Sequence, residues 1–533
     1  TLKVRPRSRA DVVTISKLCS IENAYRDGSL LVYTEPYLMN SLLPYITSME
    51  RVTIPIAATA KMATTVNEFT ETWSAYPTWS VFDSTMKGFT SAHPNLCRLD
   101  TIGYTNKGKP LYFMHISGSN YSTEAKPKVM YVSSIHGNEL TGCILMCRLI
   151  DDMLSKYNTN SIDGARITRL LDSLDIWIMP MNNPDGTYPT SDNNALNAKR
   201  TNYRGKDLNR DFPEQYTDPV NTTTGRQIET AAMMNFVKGK NFTLSANFHN
   251  GTVVVNYPWD ALEDGSSSEY IAHNCADSTW FVDLSNVYAS NNIDFSSSKD
   301  FEGGITNGAY WYTVYGGRQD WIYSFHNCRE TTIELADVGI QDSAELVRQW
   351  SINRESLLLY LEQALFGFHG KVSDENGNPL AATITLQEID ANHILSDSTT
   401  GFYARLTHPG TYNVICSKEG FTSDTLRNAT LKIGERIAHD FILKESRTHT
   451  EERTESSIFA VSQDGFLILR GLPTGESDVE IFSVLGERCL SFEGLICESG
   501  NVLLPLTHLQ SGAYYGRLKF AGKFYSFRFV VHS

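Results

Sequence analysis

The spacing of apolar and polar positions changes along the chain, and each change marks a region. In residues 1–70 the short apolar runs Leu30-Leu31-Val32-Tyr33 and Val52-Thr53-Ile54-Pro55-Ile56 alternate with helical stretches. The first helix opens at Ser8, with Asp11 three residues on as a capping partner, and the region predicts a small α/β domain. Residues 57–75, rich in Ala and Thr with few turn signals, read as a linker. Beyond it the run Val129-Met130-Tyr131-Val132 predicts a strand, Leu140 to Leu149 a helix and residues 243–248 another strand. A long helix is expected from Asp342 to Leu365. Asp342 and Glu345 supply its N-terminal cap, and Leu346, Val347, Trp350 and Leu357 its apolar face.

From Gly370 the pattern becomes short alternating strands with tight turns. Asp374-Glu375-Asn376-Gly377, Thr383 to Leu386, and Pro409-Gly410 before Thr411-Tyr412-Asn413-Val414-Ile415 have the rhythm of a β-sandwich. Lys444 to Ser457 is charged and Thr/Ser-rich without apolar periodicity, and reads as a second linker. A further all-β module follows, visible in Val479-Glu480-Ile481-Phe482 and in the closing alternation from Lys523 to Val531.

At 533 residues the chain has room for several domains. Its 46 basic and 60 acidic side chains give a net charge of -14, so the basic footprint of a nucleic-acid binder is missing. No apolar run approaches the ~18 residues of a membrane span. Thr1-Leu2-Lys3 carries no signal-peptide pattern, so any export signal is expected to have been removed already or never to have been present. The nine cysteines are irregularly spaced, an odd number that excludes complete pairing within one chain. Cys143 and Cys147, four apart on a helix, are expected to be small core residues.

The chemistry begins at His136-Gly137-Asn138-Glu139 and continues at His249 in Phe248-His249-Asn250-Gly251. His136 and Glu139 fall where a strand gives way to a helix, and their i, i+3 spacing lets both converge on one ion. His249 ends the run 243–248 and reaches the same sheet edge. Two imidazoles and one carboxylate leave a fourth position open to water, which is the arrangement of catalytic rather than structural zinc.

Asn183-Pro184-Asp185-Gly186, Asp207-Leu208-Asn209-Arg210, Gly303 to Ala309, Trp311-Tyr312, Gly316-Gly317 and Thr332-Ile333-Glu334-Leu335 follow in one order. Over roughly residues 76 to 365 this set closely resembles the zinc metallocarboxypeptidase family, in its N/E/D branch rather than its digestive A/B branch. The resemblance implies an α/β catalytic domain over 76–366 with a mixed eight-stranded sheet. It also implies one zinc ion on His136, Glu139 and His249, and peptide or protein substrates with free C-termini. Glu334 matches the general base that takes the water proton and passes it to the leaving amine. Asn209 and Arg210 match the clamp on the substrate carboxylate, a task suited to the planar guanidinium fork. Tyr312 matches the mobile tyrosine that closes over the terminal residue. Arg200 aligns with the arginine that stabilises the oxyanion, with Arg204 as a competing candidate in the same basic segment.

The lining positions of the terminal-residue pocket carry over to Asn256, Asp260, Gln319 and Thr332, all polar. Asp260 follows Asn256-Tyr257-Pro258-Trp259, where this branch carries the acid that pairs with Lys or Arg, so removal of basic C-terminal residues is expected. Arg318 departs from the pattern, since this branch usually has an uncharged residue there. A guanidinium at that site can neutralise Asp260 or repel a cationic side chain.

Ahead of a peptidase, the 1–70 domain reads as propeptide-like, as a chaperone, or as a simple packing domain. Residues 367–444 resemble the transthyretin-like β-sandwich that follows the catalytic domain in the N/E/D branch. Leu485-Gly486, Leu506 to Leu509, Ser511-Gly512-Ala513-Tyr514-Tyr515 and Tyr525 to Val531 make 457–533 similar to the sorting domain of the bacterial type IX secretion system. That implies the secretion machinery as a partner and a secreted or outer-membrane surface location, with a carbohydrate-binding or adhesive β-module as the alternative. Two other readings of the whole chain are a zinc peptidase acting on peptidoglycan stem peptides and a binding module with a decayed peptidase. The Asn209-Arg210 clamp and Asp260 argue against the first, and retention of the three ligands, Glu334 and Arg210 argues against the second.

Overall fold

The computed structural model describes the chain except residues 26, 35, 54–58, 119–124, 264–271, 390–392, 447–458, 464, 471, 473–474, 485, 498–500, 507, 521–522 and 532–533. Strands β1 (Leu2–Pro6), β2 (Ser20–Ala24), β3 (Leu30–Tyr33) and β4 (Ile46–Arg51) form one sheet in the order β2-β3-β1-β4. Helix α1 (Arg9–Leu18) starts as the sequence predicts, with the Ser8 hydroxyl accepting from the Asp11 N–H at 3.3 Å. Alternate residues of β1, Leu2 and Val4, meet Val12 and Ile15 of α1 and Val32 of β3 in an apolar cluster. The same cluster contains Val254, Trp311, Tyr312 and Val314, so this small domain shares its core with the region that follows. The expected strand at Val52–Ile56 is instead Ile46–Arg51, which ends before Val52, and residues 54–56 lie outside the described residues.

The central sheet contains β5 (Cys97–Tyr104), β6 (Pro110–Ile116), β7 (Lys128–Ser133), β8 (Asp175–Met179), β9 (Phe242–His249), β10 (Val253–Tyr257), β11 (Ile305–Asn307) and β12 (Arg329–Leu335). Its order is β11-β10-β12-β9-β7-β8-β6-β5. The inner strands β8, β7, β9 and β12 run parallel, and antiparallel pairs β10/β12, β6/β8 and β5/β6 flank them. The apolar run of β7 is continuous because both faces are covered. Val129 and Tyr131 join the cluster that also holds Ile144 and Met153 of α2 (Thr141–Lys156) and Leu357 of the helix Ser343–Glu362. Met130 and Val132 join the opposite cluster with Trp321 and Ile322 of α3 (Arg318–His326). Cys143 and Cys147 are buried, as expected of core residues.

Helix α4 (Ser343–Glu362) has its N-terminus capped where the Asp342 carboxylate accepts from the Glu345 N–H at 2.8 Å. Leu346, Trp350 and Leu357 are buried, but Val347 is 42% exposed, because the next residue along a helix turns about 100° away from the buried stripe. The linker expected at 57–75 also needs correction over its described residues. Met62–Ala63 pairs in parallel with Tyr76–Pro77, and the helix Val66–Thr70 is closed by a reciprocal capping box between Thr65 and Glu68. Phe69 and Trp73 behind it are buried edge to face at 4.8 Å, so the segment is part of the core.

Residues 367–444 form two sheets around a common apolar core that includes Phe368, Ile384, Tyr403, Val414 and Phe441. A buried ion triad ties this region to the central sheet: Asp277 lies 2.7 Å from both Arg329, at the start of β12, and Arg405. The expected linker Lys444–Ser457 falls almost wholly outside the described residues. Glu445–Ser533 is a separate unit. In it a three-stranded sheet and a four-stranded sheet enclose Leu467, Leu469, Val479, Ile481, Leu504 and Leu518, and the strands Gly475–Ser483 and Lys523–Val531 match the predicted alternation.

Burial pushes the Asp277 carboxyl up, but Arg405 and Arg329 outweigh it and hold the group below the ordinary aspartate range. A depressed folded value means that the triad's stabilisation is present above the unfolded pKa of about 3.9 and is lost as pH falls through the folded value. Asp277→Ala leaves two buried guanidinium groups without their anion and is expected to cost ~3–5 kcal/mol at neutral pH. Denaturant unfolding of wild type and variant from pH 7 to pH 3 checks it. An unchanged midpoint at pH 7 would contradict the assignment of the triad as a structural tie.

Candidate active site

The parallel strands deliver their carboxyl ends to one edge of the sheet, where ligand sites of open α/β sheets form. β7 ends at Ser133 and the chain turns through His136 and Glu139 before α2 begins. That turn is packed tightly: a Cβ on Gly137 would stand 2.3 Å from the Gly186 carbonyl carbon, so only glycine lets the His136 loop rest on the Asn183-Pro184-Asp185-Gly186 turn. β9 ends at His249, whose register partner on β12 is Glu334.

His136 Nδ1 lies 2.8 Å from Glu139 Oε1, His249 Nδ1 lies 2.8 Å from Glu139 Oε2, and the two Nδ1 atoms are 3.1 Å apart. All three side chains are buried, and their ligand atoms lie within 4.8 Å of one another. Two imidazole nitrogens turned toward each other beside a carboxylate present converging lone pairs, the donor set of a zinc site. The far sides of the rings support this reading. His136 Nε2 meets the Asp207 carboxylate at 2.9 Å, which assigns the proton to Nε2 and leaves Nδ1 free as a ligand. His249 Nε2 lies 2.8 Å from the Asn247 amide nitrogen, while the Asn247 amide oxygen is buried without a partner among the described residues. Exchanging the amide's N and O satisfies that oxygen with the Nε2–H and again frees Nδ1. Sequence reasoning missed Asp207 and Asn247 as orienting groups. For Asn247 the signal was present, since residues two apart on a strand share a face.

Arg200 is buried and donates to Glu139 at 3.0 Å and to Asp207 at 3.1 Å, which brings its guanidinium to the metal cluster. Arg204 is exposed and bonds to Asn106, away from the cluster. Burial and the adjacent Glu139 push the Glu334 carboxyl well above the ordinary range, and among the described residues its Oε2 has no hydrogen-bond partner. Of the residues nominated from sequence, all but Arg204, Arg318 and Gln319 line one pocket, and Gln319 stands directly behind Asp260.

Asp260 Oδ1 accepts from Asn256 at 2.9 Å and from Gln319 at 3.1 Å, while the Gln319 carbonyl accepts from the Thr332 N–H at 2.7 Å. The Asp260 and Ala261 N–H groups donate to the Asp320 carboxylate, which pins the turn. A Cβ on Gly308 would lie 1.8 Å from Asp260 Oδ1, so a glycine there keeps the pocket wall open. Asn209 accepts from the Arg318 N–H at 2.9 Å, and Arg210 donates to the Asn209 carbonyl at 2.8 Å, its Nε buried and without a partner among the described residues. The departure at Arg318 is resolved by direction. Its side chain runs into the core, 2.9 Å from Glu330 with both groups fully buried, and it donates to Ser245 at 3.3 Å. It neither neutralises Asp260 nor faces the pocket. One further lining residue, Glu22 of β2, belongs to the N-terminal domain and had no sequence signal, because nothing local says which body an edge strand will face.

Because the ligands and the carboxylate of Glu334 occupy different positions, Glu334→Ala is expected to keep stoichiometric zinc and lose turnover. His136→Ala and His249→Ala lose both. Asp207→Ala keeps the ligand set but is expected to weaken metal affinity about 10- to 100-fold. Elemental analysis and chelator competition measure these outcomes, and a metal-free Glu334→Ala protein would overturn the assignment.

Residues 82–356 match the family described as zinc carboxypeptidase, peptidase M14. The carboxypeptidase SOL1 of Arabidopsis thaliana is 35% identical over 69% of this chain and 72% of its own length. Human carboxypeptidase D is 33% identical over 78% of this chain and 31% of its own length, so the chain spans about a third of that relative. Among solved structures, the carboxypeptidase A of Helicoverpa armigera covers 67% of this chain and 95% of its own, at 16% identity and a TM-score of 0.52, a likeness of fold. Zinc is the metal of the matched family, and the His136, Glu139 and His249 side chains suit it. The geometry and these likenesses agree, and the chain belongs to the zinc carboxypeptidase family.

Proposed function

We propose that the chain removes C-terminal Lys or Arg from peptides and proteins. The observation that carries the reading is the buried Asp260 carboxylate on the wall of a pocket that also contains the metal cluster and Arg210. His136, Glu139 and His249 would hold the zinc ion, which when bound would supply a water of pKa about 7 and a Lewis acid for the scissile carbonyl. Glu334, one strand from His249, takes the proton of the attacking water and delivers it to the leaving amine. Arg200 stabilises the negative charge that develops on the carbonyl oxygen. Arg210, with a free Nε, and Asn209 receive the terminal carboxylate, and Tyr312 closes over the last residue.

Specificity follows from the wall opposite. Asn256 and Gln319 hold one oxygen of Asp260, and Thr332 completes the polar lining, so the carboxylate is preset for a cationic side chain. The commitment of Arg318 to Glu330 leaves that charge uncancelled. We read residues 76–366 as the catalytic domain and 367–444 as a transthyretin-like sandwich. We read 457–533 as a type IX sorting domain that directs the protein to the outer-membrane surface or the medium. The two-sheet core of residues 367–444 and the separate unit from Glu445 onward support the last two readings.

Charge-assisted hydrogen bonds are worth about 1.5–3 kcal/mol, so Asp260→Ala is expected to lower kcat/KM on peptides ending in Arg or Lys by roughly 10- to 150-fold. Small apolar ends should be spared. Mass spectrometry of peptides differing only in the last residue reads this out. Efficient release of Phe or Leu with no release of Arg or Lys removes the specificity reading and leaves the carboxypeptidase standing. For the sorting domain, a chain ending at Lys444 is expected to keep its activity in vitro and to accumulate in the periplasm of its native host. Fractionation that finds it at the surface argues against a sorting role.

A further inference from the structure

The strands that end at the metal cluster and Glu334 begin at the opposite edge of the central sheet, and that edge is not closed. Lys128, Asp175, Phe242 and Arg329 are the first residues of β7, β8, β9 and β12, and all four line a cavity of ≈ 470 Å³. Its other wall comes from residues 367–444, through Leu395 of the strand Ile394–Leu395 and Phe402 and Tyr403 of the strand Phe402–Arg405. Both walls belong to one compact unit. Protein interiors are packed to the density of organic crystals, so domains that merely touch leave few voids larger than a water, ~30 Å³. This space falls instead within the ~300–1,000 Å³ typical of small-molecule sites. Leu395 is 47% exposed and Lys238 is exposed as well, which gives the cavity an entrance from solvent.

The chain carries a net charge of -14, yet the balance around this cavity has the opposite sign. Among the described residues, Lys126, Lys128, Lys238 and Arg329 line it against two carboxylates, Asp175 and Asp397. Both carboxylates are engaged: Asp397 lies 3.4 Å from Lys128, and Asp175 is bonded to His115. The ion triad behind the wall does not cancel the excess, because Arg329 and Arg405 share the single carboxylate of Asp277. Arg329 is 1% exposed, and among the described residues its Nε has no hydrogen-bond partner. Lys126 is buried too, and its ammonium donates to the Ser117 hydroxyl at 3.2 Å and the Gly118 carbonyl at 3.4 Å. Burial pushes His326 down to about 4, so that ring adds no charge at neutral pH. Cations in a wall of low polarity are costly until an anion compensates them. The remainder of the lining is apolar and aromatic, including Phe242, Phe325 and Phe402.

We propose that the cavity between the central sheet and the 367–444 sandwich binds a small amphipathic organic anion, its carboxylate held by the Lys126, Lys128 and Arg329 cations and its apolar chain lying against Phe242, Phe325 and Phe402. An inorganic anion would leave the aromatic wall wet, and an uncharged apolar molecule would leave the cations uncompensated. A ligand with both ends meets both demands. The site lies at the sheet edge away from His249 and Glu334, so its occupation is separate from the peptide reaction.

The test titrates octanoate, and 1-octanol as its uncharged counterpart, into the full-length zinc-loaded chain at neutral pH, with calorimetry as the readout. Wild type is compared with Lys128→Gln, which removes one cation, and with Leu395→Trp, which fills the entrance without touching a charge. Both positions are partly exposed and far from the metal cluster, so the thermal midpoint of each unliganded variant is expected to match wild type. Wild type is expected to bind one octanoate, roughly tenfold or more tightly than octanol, as a charge-assisted contact requires. Lys128→Gln is expected to weaken octanoate about tenfold, and Leu395→Trp to weaken both ligands by at least that factor. Octanoate binding of equal strength in all three proteins places the carboxylate elsewhere, the metal cluster included, and overturns the proposal. Absence of binding to wild type, or equal affinity for octanoate and octanol, overturns it as well.

Discussion

Buried charge must be compensated, and the cleft at the carboxyl ends of β9 and β12 buries three carboxylates in one place: Glu139, Glu334 and Glu22. Everything around them answers that constraint. Glu139 lies between two imidazoles, and each imidazole is turned by a polar group on its far side. Arg200 is shared between Glu139 and Asp207, so one cation serves both a ligand and the group that orients another ligand. Catalysis needs such an unequal balance. Burial and the neighbouring Glu139 favour the protonated form of Glu334, which suits the proton-carrying role proposed for it.

A few ångströms away the same constraint is met by separation. Asp260 and Asp320 are both buried, with Asp320 engaging backbone N–H groups and Asp260 engaging two side-chain amides. Beneath them Arg318 and Glu330 neutralise each other inside the core, so a potentially interfering cation is kept out of the pocket by a partner on the neighbouring strand. The charge that faces the pocket is therefore decided by pairings behind its wall.

Much of this was legible in the sequence because strand ends carry the chemistry. The strand-like run leading into His249 placed it at the sheet edge of His136 and Glu139, whose i, i+3 spacing let them converge, and the family resemblance supplied Glu334. Interactions set by direction or by distant pairing were not legible. The position of Arg318 was visible, but not that its side chain would turn toward Glu330. Residues 57–75 looked featureless by composition, although Thr65 and Glu68 close a cap and Phe69 and Trp73 fill the core behind it. Val347 was assigned to a buried face by hydrophobicity alone, one helical step too far round. The contribution of Glu22 depends on docking between domains, which leaves no periodic trace.

The apolar cluster shared by the two domains also bears on the order of assembly. The β1–β4 sheet closes within Leu2–Arg51, from contacts near in sequence, and such local topologies fold quickly. The central sheet needs β7 and β12 on either side of β9, a long-range closure that waits for most of the catalytic domain to be made. At ~5–20 residues per second, Trp311 and Tyr312 leave the ribosome on the order of tens of seconds after β4. During that interval Val4, Ile15 and Val32 already form a surface that only the later residues can complete. The cleft is thus built onto a strand that is already in place, and the catalytic domain acquires its mouth by folding around a template.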